Sequence, residues 1–350
     1  MKGVVRYGHE KGDVRVDDVS VPEIAGDEIR IQVEAAGVCG SDVGAYLGKP
    51  EYDFMSVPGV LGHEAAGVVD SVGADIDNYE SGDRVVLKPG NPCGDCFLCV
   101  TGEPNNCSNR EPAVAAGGFS RYTVADADHV VRIPDSVPML KAAITEPLAV
   151  THRAVMMKGE VVPGDTVFIQ GPGPMGAFSA LVARYAGAEV VVSGLPSDEA
   201  RLASLSEIGI ETVTDPLSDV SGATEFVETY TSRGGFDVTV DATGVPAGLE
   251  GAQSVTRNGG RIVVIGVISQ TVDLDMTDLV RSEIDIRPSH GSLTEDFIRS
   301  LVMLDAPNPL PVESLISTKH SPTDPAAAFD AFANAEAIKP VFDIDELVEP

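Results

Sequence analysis

The chain has 350 residues and 43% of them are hydrophobic, which is enough for two globular domains of ordinary size. Lys and Arg number 24 against 54 Asp and Glu, so the formal net charge is −30. This balance excludes the basic footprint that nucleic acid requires, and it disfavours an anionic membrane as a partner. No apolar run approaches the roughly 20 residues of a membrane span, and the N-terminus lacks a signal-peptide pattern, so a cytoplasmic location is expected.

The acidic residues are spread along the chain and are not gathered in a tail. Only eight of the 24 cationic residues are lysines. This pattern favours a surface adapted to high salt, where screening removes the self-repulsion of a large net charge. An ordinary acidic protein is the alternative. We therefore expect a halophilic protein whose fold and activity weaken on desalting.

The first third of the chain predicts an irregular, mostly β domain. Glu28–Glu34 alternates polar and apolar residues with the period of a half-buried strand, and Ala65–Val72 and Arg84–Leu87 are further short apolar runs.

Four cysteines follow in the pattern Cys93-x2-Cys96-x2-Cys99-x7-Cys107. Four thiolates at this spacing can surround one tetrahedral zinc ion, and they leave no position for a substrate. Free cysteines or disulfides are the alternative, which the clustering in a long chain disfavours. The spacing therefore predicts a structural zinc site.

The middle of the chain alternates strands with helices. A helix over Leu140–Met157 is expected to connect the domains, and the strand Asp165–Gln170 comes next. The further predicted segments are the helices Met175–Ala186 and Ala200–Ile208 and the strands Glu189–Ser193, Phe236–Ala242 and Arg261–Val267. This alternation predicts an α/β fold with a parallel sheet covered by helices on both faces.

A glycine motif joins the first of these strands to its helix. It consists of Gly171, Pro172, Gly173, Pro174, Met175 and Gly176. Glycines between a strand and a helix allow a pyrophosphate to approach the helix N-terminus, whereas the same motif elsewhere is often an ordinary turn. The context predicts a dinucleotide-binding loop.

Cys39, His63 and Glu146 are residue types that bind zinc, but nothing in their spacing alone brings them together. Taken singly, each has a more common structural interpretation, such as a small buried cysteine.

Six segments, taken together and in this order, carry a resemblance to a known family. They are AGVCGSD (36–42), PGVLGHEAAGVV (58–69), GDRV (82–85), the four-cysteine lobe, TEPLAV (145–150) and GPGPMG (171–176). On these, the chain resembles the zinc-containing medium-chain dehydrogenase/reductase superfamily over nearly its whole length. Within it, the chain looks most similar to the sorbitol (L-iditol) and threonine dehydrogenase group. The resemblance implies a GroES-like catalytic domain over 1–153 and 290–350, with a Rossmann domain over 154–289.

The resemblance also implies site roles. Cys39, His63 and Glu146 match the ligands of a catalytic zinc, and Glu64 matches a second glutamate that can approach the metal. Ser41 matches the hydroxyl that hydrogen-bonds the alcohol, and Asp42 is expected to orient His63. The implied reaction is hydride transfer between a polyol, sugar or secondary alcohol and NAD(P), assisted by zinc.

The expected cofactor contacts are Gly171, Gly173, Pro174, Met175, Gly176, Ser193, Gly194, Arg201, Thr243, Ile265 and Val267. Gly194 stands where an acidic residue usually binds the ribose 2′-hydroxyl. Its absence, with Arg201 nearby, favours NADP slightly over NAD, although Asp198 could restore the NAD contact.

A second departure is Gly44, where many relatives carry a histidine that passes the alcohol's proton to solvent. Tyr46 is a candidate replacement, and a packing role for it is equally compatible with the sequence. Substrate walls are expected from the loops 46–54 and 109–119. Threonine or butanediol dehydrogenase on the same scaffold, and a non-catalytic cofactor-binding protein, are the alternative functions; a homodimer or homotetramer is expected.

Overall fold

The computed structural model describes residues 1–110, 117–217 and 220–347. The chain divides into two compact units, which we call unit 1 (Met1–Glu146 with Ser292–Pro350) and unit 2 (Pro147–Gly291). In the described part of the chain, no helix is both long and apolar enough to cross a membrane.

The strands, in chain order, are β1 (Lys2–Arg6), β2 (Val14–Asp18), β3 (Glu28–Gly37), β4 (Gly59–Val60), β5 (Glu64–Val72), β6 (Arg84–Leu87), β7 (Tyr122–Asp126), β8 (Val130–Arg132), β9 (Thr166–Gln170), β10 (Glu189–Gly194), β11 (Glu211–Thr214), β12 (Phe236–Asp241), β13 (Thr256–Val264), β14 (Asp285–Pro288), β15 (Ile316–Ser317) and β16 (Lys339–Asp343). The α-helices are α1 (Gly40–Tyr46), α2 (Phe97–Val100), α3 (Met139–Ala142), α4 (Thr145–His152), α5 (Pro174–Tyr185), α6 (Glu199–Glu207), α7 (Val220–Tyr230), α8 (Pro246–Val255), α9 (Met276–Ser282), α10 (Thr294–Asp305) and α11 (Pro325–Ala333).

Unit 1 is the predicted mostly β part. Its larger sheet has the order β15-β16-β3-β5-β6-β8, with β7 also paired to β3, and its smaller sheet has the order β2-β1-β4. The inward positions of the long strand β3 alternate along it, so that Ile29, Ile31 and Val33 are fully buried. They join one apolar core with Phe119 and Phe342.

Unit 2 contains a parallel sheet with the order β11-β10-β9-β12-β13-β14. Consecutive strands run outward from β9 in one direction and then from β12 in the other. This is the doubly wound order, and ligands of such sheets bind outside the carboxyl ends of the strands at the reversal between β9 and β12.

The segment Leu140–Met157 is helical, as predicted, but it is interrupted and does not form one helix. The segment forms α3, α4 and a wide π-helical turn over Arg153–Lys158. Pro147 lacks an N–H group and restricts the residue before it, so it is tolerated only in the first turn of a new helix. The chain accordingly starts α4 at Thr145.

Candidate active site

The pairing of β3 with β5 brings Cys39, His63 and Glu64 together. Gly37 at the end of β3 pairs with Glu64 at the start of β5, and Cys39 follows two residues later as the residue before α1. One ligand-type atom from each of Cys39, His63 and Glu64 lies within 4.8 Å of the others. His63 and Glu64 are buried and Cys39 is half-buried.

Asp42 fixes the backbone of this cluster. Its carboxylate accepts hydrogen bonds from the backbone N–H of Cys39 at 2.9 Å and of Gly62 at 3.3 Å. Its nearest oxygen lies 3.9 Å from Nδ1 of His63, beyond hydrogen-bond distance. Burial raises the pKa of Asp42 to about 6, against the opposing effect of His63. In this arrangement Asp42 therefore positions the two chain segments, and it does not hydrogen-bond the imidazole.

The chemistry of the cluster fits zinc. Nδ1 of His63 and Oγ of Ser41 are buried, and neither has a hydrogen-bond partner among the described residues. Burial lowers the pKa of His63, but Cys39 and Asp42 raise it by more, so the net shift is upward. A thiol, an imidazole and a carboxylate in one buried cluster are the donors that zinc prefers, and the ion would compensate this acidic surrounding.

Lys339 pairs with Glu64 and was not found by the sequence reasoning. Its Nζ donates hydrogen bonds to Oε1 of Glu64 at 2.6 Å and to the carbonyl of Val38 at 2.8 Å. Lys339 is 1% exposed and Glu64 is fully buried. The only sequence signal is a lysine that directly precedes the apolar run Pro340–Phe342, which ordinarily indicates an exposed strand end.

Glu146 lies in the first turn of α4 and is half-buried. It does not belong to the group within 4.8 Å, although its charge contributes to raising the pKa of His63. Burial raises the pKa of Glu146 itself to about 7, and His63 acts in the opposite direction. The structure thus groups Glu64, and not Glu146, with both Cys39 and His63 within 4.8 Å.

The four-cysteine lobe is a second cluster. All four thiols are free, and they lie within 4.8 Å of one another. Three Sγ–Sγ distances are 3.5 Å (Cys96–Cys99), 3.8 Å (Cys96–Cys107) and 3.5 Å (Cys93–Cys107). Four sulfurs around one zinc at 2.3 Å would stand about 3.8 Å apart, so the lobe has the dimensions of a tetrahedral zinc site.

A backbone donor favours the thiolate form of one cysteine of this lobe, Cys107. The N–H group of Cys93 donates to Sγ of Cys107 at 3.4 Å, and it is the main reason that the pKa of Cys107 falls to about 7. Gly94 has φ +76°, which glycine adopts without strain, and it turns the chain between the first two cysteines.

Unit 2 has a cavity of about 400 Å³ at the carboxyl ends of β9, β10 and β12. Six predicted cofactor residues line it: Gly171, Gly173, Ser193, Gly194, Arg201 and Thr243. The lining does not include Pro174, Met175, Gly176, Ile265 or Val267. Gly176 has an internal role, because a Cβ there would lie 1.8 Å from the carbonyl oxygen of Gly171. Val267 is 81% exposed, whereas Ile265 is buried and donates its N–H to the carbonyl of Asp241.

The structure explains why residue 194 is glycine. A Cβ at this position would lie 2.9 Å from Cγ of Pro172 and 3.1 Å from Cβ of Asp198. Asp198 accepts a hydrogen bond from the N–H of Leu195 at 3.0 Å, and one of its oxygens lies 3.9 Å from Arg201. Both Asp198 and Arg201 line the cavity.

Residues 25–135 match the alcohol dehydrogenase GroES-like domain and residues 174–306 match the zinc-binding dehydrogenase family. A sorbitol dehydrogenase of Halalkalibacterium halodurans is 30% identical, over 97% of this chain and 98% of its own length. The chain belongs to the zinc-containing medium-chain dehydrogenase/reductase superfamily. The predicted fold class, an α/β protein with a GroES-like and a Rossmann domain, is confirmed.

A second curated relative and two solved structures are also dehydrogenases. A D-arabitol-phosphate dehydrogenase of Enterococcus avium is 30% identical, over 97% of this chain and 96% of its own. A zinc-binding dehydrogenase structure from Sinorhizobium meliloti 1021, bound to NADP, has a TM-score of 0.84 at 27% identity and covers 98% of each chain. An alcohol dehydrogenase structure from E. coli CFT073, complexed with NADH, has a TM-score of 0.87 at 25% identity and covers 98% of this chain and 99% of its own. The protein is therefore a zinc-dependent, nicotinamide-linked dehydrogenase that acts on alcohols.

In this dehydrogenase, the predicted proton-relay candidate Tyr46 packs into the core. It is 8% exposed, its ring lies 5.2 Å from that of Phe329, and its hydroxyl interacts with Asp330. Tyr52, in the loop 46–54, lies beside Gly44, and a role of this loop as a substrate wall stays a prediction. The other predicted wall, 109–119, includes residues 111–116, which lie outside the described residues.

Proposed function

We propose that this dehydrogenase oxidises a secondary hydroxyl of a polyol or sugar to a carbonyl and transfers the hydride to NADP. The observation that carries the proposal is the cluster of Cys39, His63 and Glu64, together with the buried hydroxyl of Ser41, which has no hydrogen-bond partner among the described residues. Relatives named sorbitol and D-arabitol-phosphate dehydrogenase support the substrate class.

Two zinc ions per chain are proposed, one at Cys39, His63 and a glutamate, and one in the four-cysteine lobe. Zinc, when bound, supplies Lewis acidity that lowers the pKa of an alcohol hydroxyl. Cys39 and His63 would hold the catalytic ion, and Glu146 or Glu64 would supply the third ligand. The hydrogen bond from Lys339 to Glu64 favours Glu146 for this role. The hydroxyl of Ser41 would accept a hydrogen bond from the alcohol and fix its orientation.

The proposed preference for NADP over NAD depends on the glycine at position 194. With glycine there, no carboxylate from the end of β10 repels a ribose 2′-phosphate, and Arg201 lies in the same cavity. Asp198 already accepts a backbone hydrogen bond from Leu195, which holds it in its own loop. We expect Arg201→Ala to raise KM for NADP about tenfold or more and to change KM for NAD little, in line with the strength of charge-assisted contacts.

The function is tested by steady-state kinetics in concentrated salt. The panel comprises sorbitol, xylitol, arabitol, arabitol phosphate, butane-2,3-diol, L-threonine and ethanol, each with NAD and with NADP. The proposal expects the highest kcat/KM for a polyol or its phosphate with NADP. A preference for threonine or butanediol would show that the proposed substrate class is wrong and leave the proposed mechanism in place. Inactivity with every alcohol of the panel would refute the proposed dehydrogenase activity.

Metal content is the second test. Two zinc ions per chain are expected by elemental analysis, and one ion that is lost only when the four cysteines are substituted would refute the catalytic site. The predicted homodimer or homotetramer stays a prediction, and a molar mass from light scattering would test it.

A further inference from the structure

The ring of Tyr52 fills the volume that a side chain at position 44 would occupy. A Cβ built on Gly44 would lie 2.1 Å from Cε2, 2.5 Å from Cδ2 and 2.8 Å from Cζ of Tyr52. These distances are far below van der Waals contact, so the two positions cannot both carry a large side chain. Gly44 and Tyr52 therefore act as one unit: the missing side chain at one position makes room for the phenol from the other.

The loop that carries Tyr52 is fixed to the surrounding structure. The N–H of Lys49 donates to the carbonyl of Gly44 at 3.0 Å, and the N–H of Tyr52 donates to the carbonyl of Lys49 at 3.0 Å. Arg6, which is 1% exposed, donates from Nη1 to the carbonyl of Tyr52 at 2.7 Å. The phenol therefore stands at a defined place beside α1.

The charges around this phenol include those of the active-site cluster. Burial raises the pKa of Tyr52, and the nearby groups that raise it further are Cys39, Glu51 and Asp42. The hydroxyl thus lies within the electrostatic reach of Cys39 and keeps its proton at neutral pH. Tyr52 is only half-buried, so the same side chain also reaches solvent.

We propose that Tyr52 provides the proton route that a histidine at position 44 would otherwise provide. The inference rests on the proposed dehydrogenase function. As hydride leaves the substrate carbon for the nicotinamide, the O–H bond of the alcohol breaks and its proton moves towards the Tyr52 hydroxyl, while the hydroxyl releases its own proton to water. The products are the carbonyl compound, the reduced cofactor and one proton in solvent, and Tyr52 ends the cycle unchanged.

The first test compares Tyr52→Phe with Tyr46→Phe, since the ring of Tyr46 is buried and its hydroxyl interacts with the exposed Asp330. Tyr52→Phe keeps the ring and removes only the hydroxyl. We expect it to lower the rate of hydride transfer at pH 7 by about 10²-fold, the low end of general acid–base contributions, and Tyr46→Phe to leave the rate unchanged. Equal rates for Tyr52→Phe and the wild type would overturn the proposal.

The second test exchanges the two positions. Gly44→His alone should lower the melting temperature, because the imidazole and the phenol compete for one volume. Tyr52→Ala should be as slow as Tyr52→Phe, and adding Gly44→His to it should restore at least about tenfold of the rate. An unchanged melting temperature of Gly44→His with Tyr52 in place would contradict the shared volume, and no recovery of the rate in the double variant would overturn the proposed proton route.

The third test needs no turnover. Tyrosine labelled with ¹³C at Cζ gives few signals, since the chain has seven tyrosines, and Tyr52→Phe assigns the relevant one. Zinc is removed from the wild type and from the Cys39→Ser variant, which is expected to lack the catalytic ion from the start. The Tyr52 signal should move in the wild type and stay unchanged in the variant. An unmoved signal would overturn the proposal, whereas a moved signal in a protein that oxidises no alcohol would refute the proposed function and leave the placement of Tyr52 intact.

Discussion

Replacing Lys339 by methionine should destabilise unit 1 substantially. The ammonium donates to Glu64 at 2.6 Å and to the carbonyl of Val38 at 2.8 Å, and neither Lys339 nor Glu64 is more than 1% exposed. Methionine matches the length of the side chain and removes the charge. It leaves a buried carboxylate without its cation and a buried carbonyl without its donor, and breaking one side of such a pair costs about 3–5 kcal/mol.

The measurement is denaturant unfolding at fixed zinc and fixed high salt, in a double-mutant cycle with Glu64→Gln. The cost of the double variant should fall below the sum of the two single costs by about 1–3 kcal/mol, because removing the second partner removes the uncompensated charge. Lys141→Met is a matched control, since Lys141 pairs with Glu313, which is 58% exposed, and should cost about 1 kcal/mol or less. If Lys339→Met lowers the free energy of unfolding by no more than Lys141→Met does, the buried Lys339–Glu64 pair does not stabilise unit 1.

Three further predictions follow from the two zinc clusters, the glycine loop and the net charge. Cys96→Ser should reduce the zinc content from two ions to one and expose the lobe to protease, whereas Cys39→Ser should lose one ion with the lobe still resistant; an unchanged zinc content in either variant would contradict that site. Gly176→Ala should destabilise unit 2 by about 1–3 kcal/mol, because its Cβ would lie 1.8 Å from a backbone oxygen, whereas Gly173→Ala, with nothing within 4 Å, should leave apo stability unchanged and weaken only cofactor binding. At a net charge of −30, the melting temperature should fall when salt is reduced from about 1 M to 0.1 M, as the screening length grows from roughly 3 to 10 Å, and full stability in dilute buffer would refute the halophilic interpretation.

The parts that sequence predicts well are those whose signal is local. The four cysteines fall in one short segment, so a single lobe can collect them without help from the rest of the fold. Likewise, strand β6 occupies the predicted Arg84–Leu87, and α5 and β10 begin and end within one residue of their predicted bounds. Hydrophobic periodicity and glycine stops act over a few residues, which is why they can be read directly.

The catalytic cluster depends on pairing between distant segments. Cys39 and His63 meet because β3 and β5 pair in one particular register, and Lys339 reaches Glu64 from 275 residues away along the chain. Neither register nor a contact at that separation leaves a local trace. The resemblance to a known family identifies the members of the cluster, but Lys339 lies outside the segments that carry the resemblance.

At Gly194 and Gly44 the sequence departs from the family pattern, and in each case a neighbouring residue occupies the volume that a larger side chain would need. Gly194 looked like the loss of an acidic residue, and the structure shows Pro172 where its side chain would stand. Gly44 looked like the loss of a histidine, and Tyr52 occupies that volume. In both cases the sequence displays the small residue, and only the fold identifies its partner.

Two of the few cationic residues of this acidic chain bind one buried carboxylate, that of Asp237. Asp237 is 4% exposed and is bound by Arg233, by Arg257 at 2.7 Å and by the hydroxyl of Thr166 at 3.0 Å. These contacts, against the opposing effect of burial, hold the pKa of Asp237 below its usual range. Two of the 24 cationic residues are thus bound to this one carboxylate. Replacing Arg257 by a neutral residue should therefore cost more than the 0–1 kcal/mol of an ordinary exposed pair, because it removes one of the two arginines that bind this buried carboxylate in the described part of the chain.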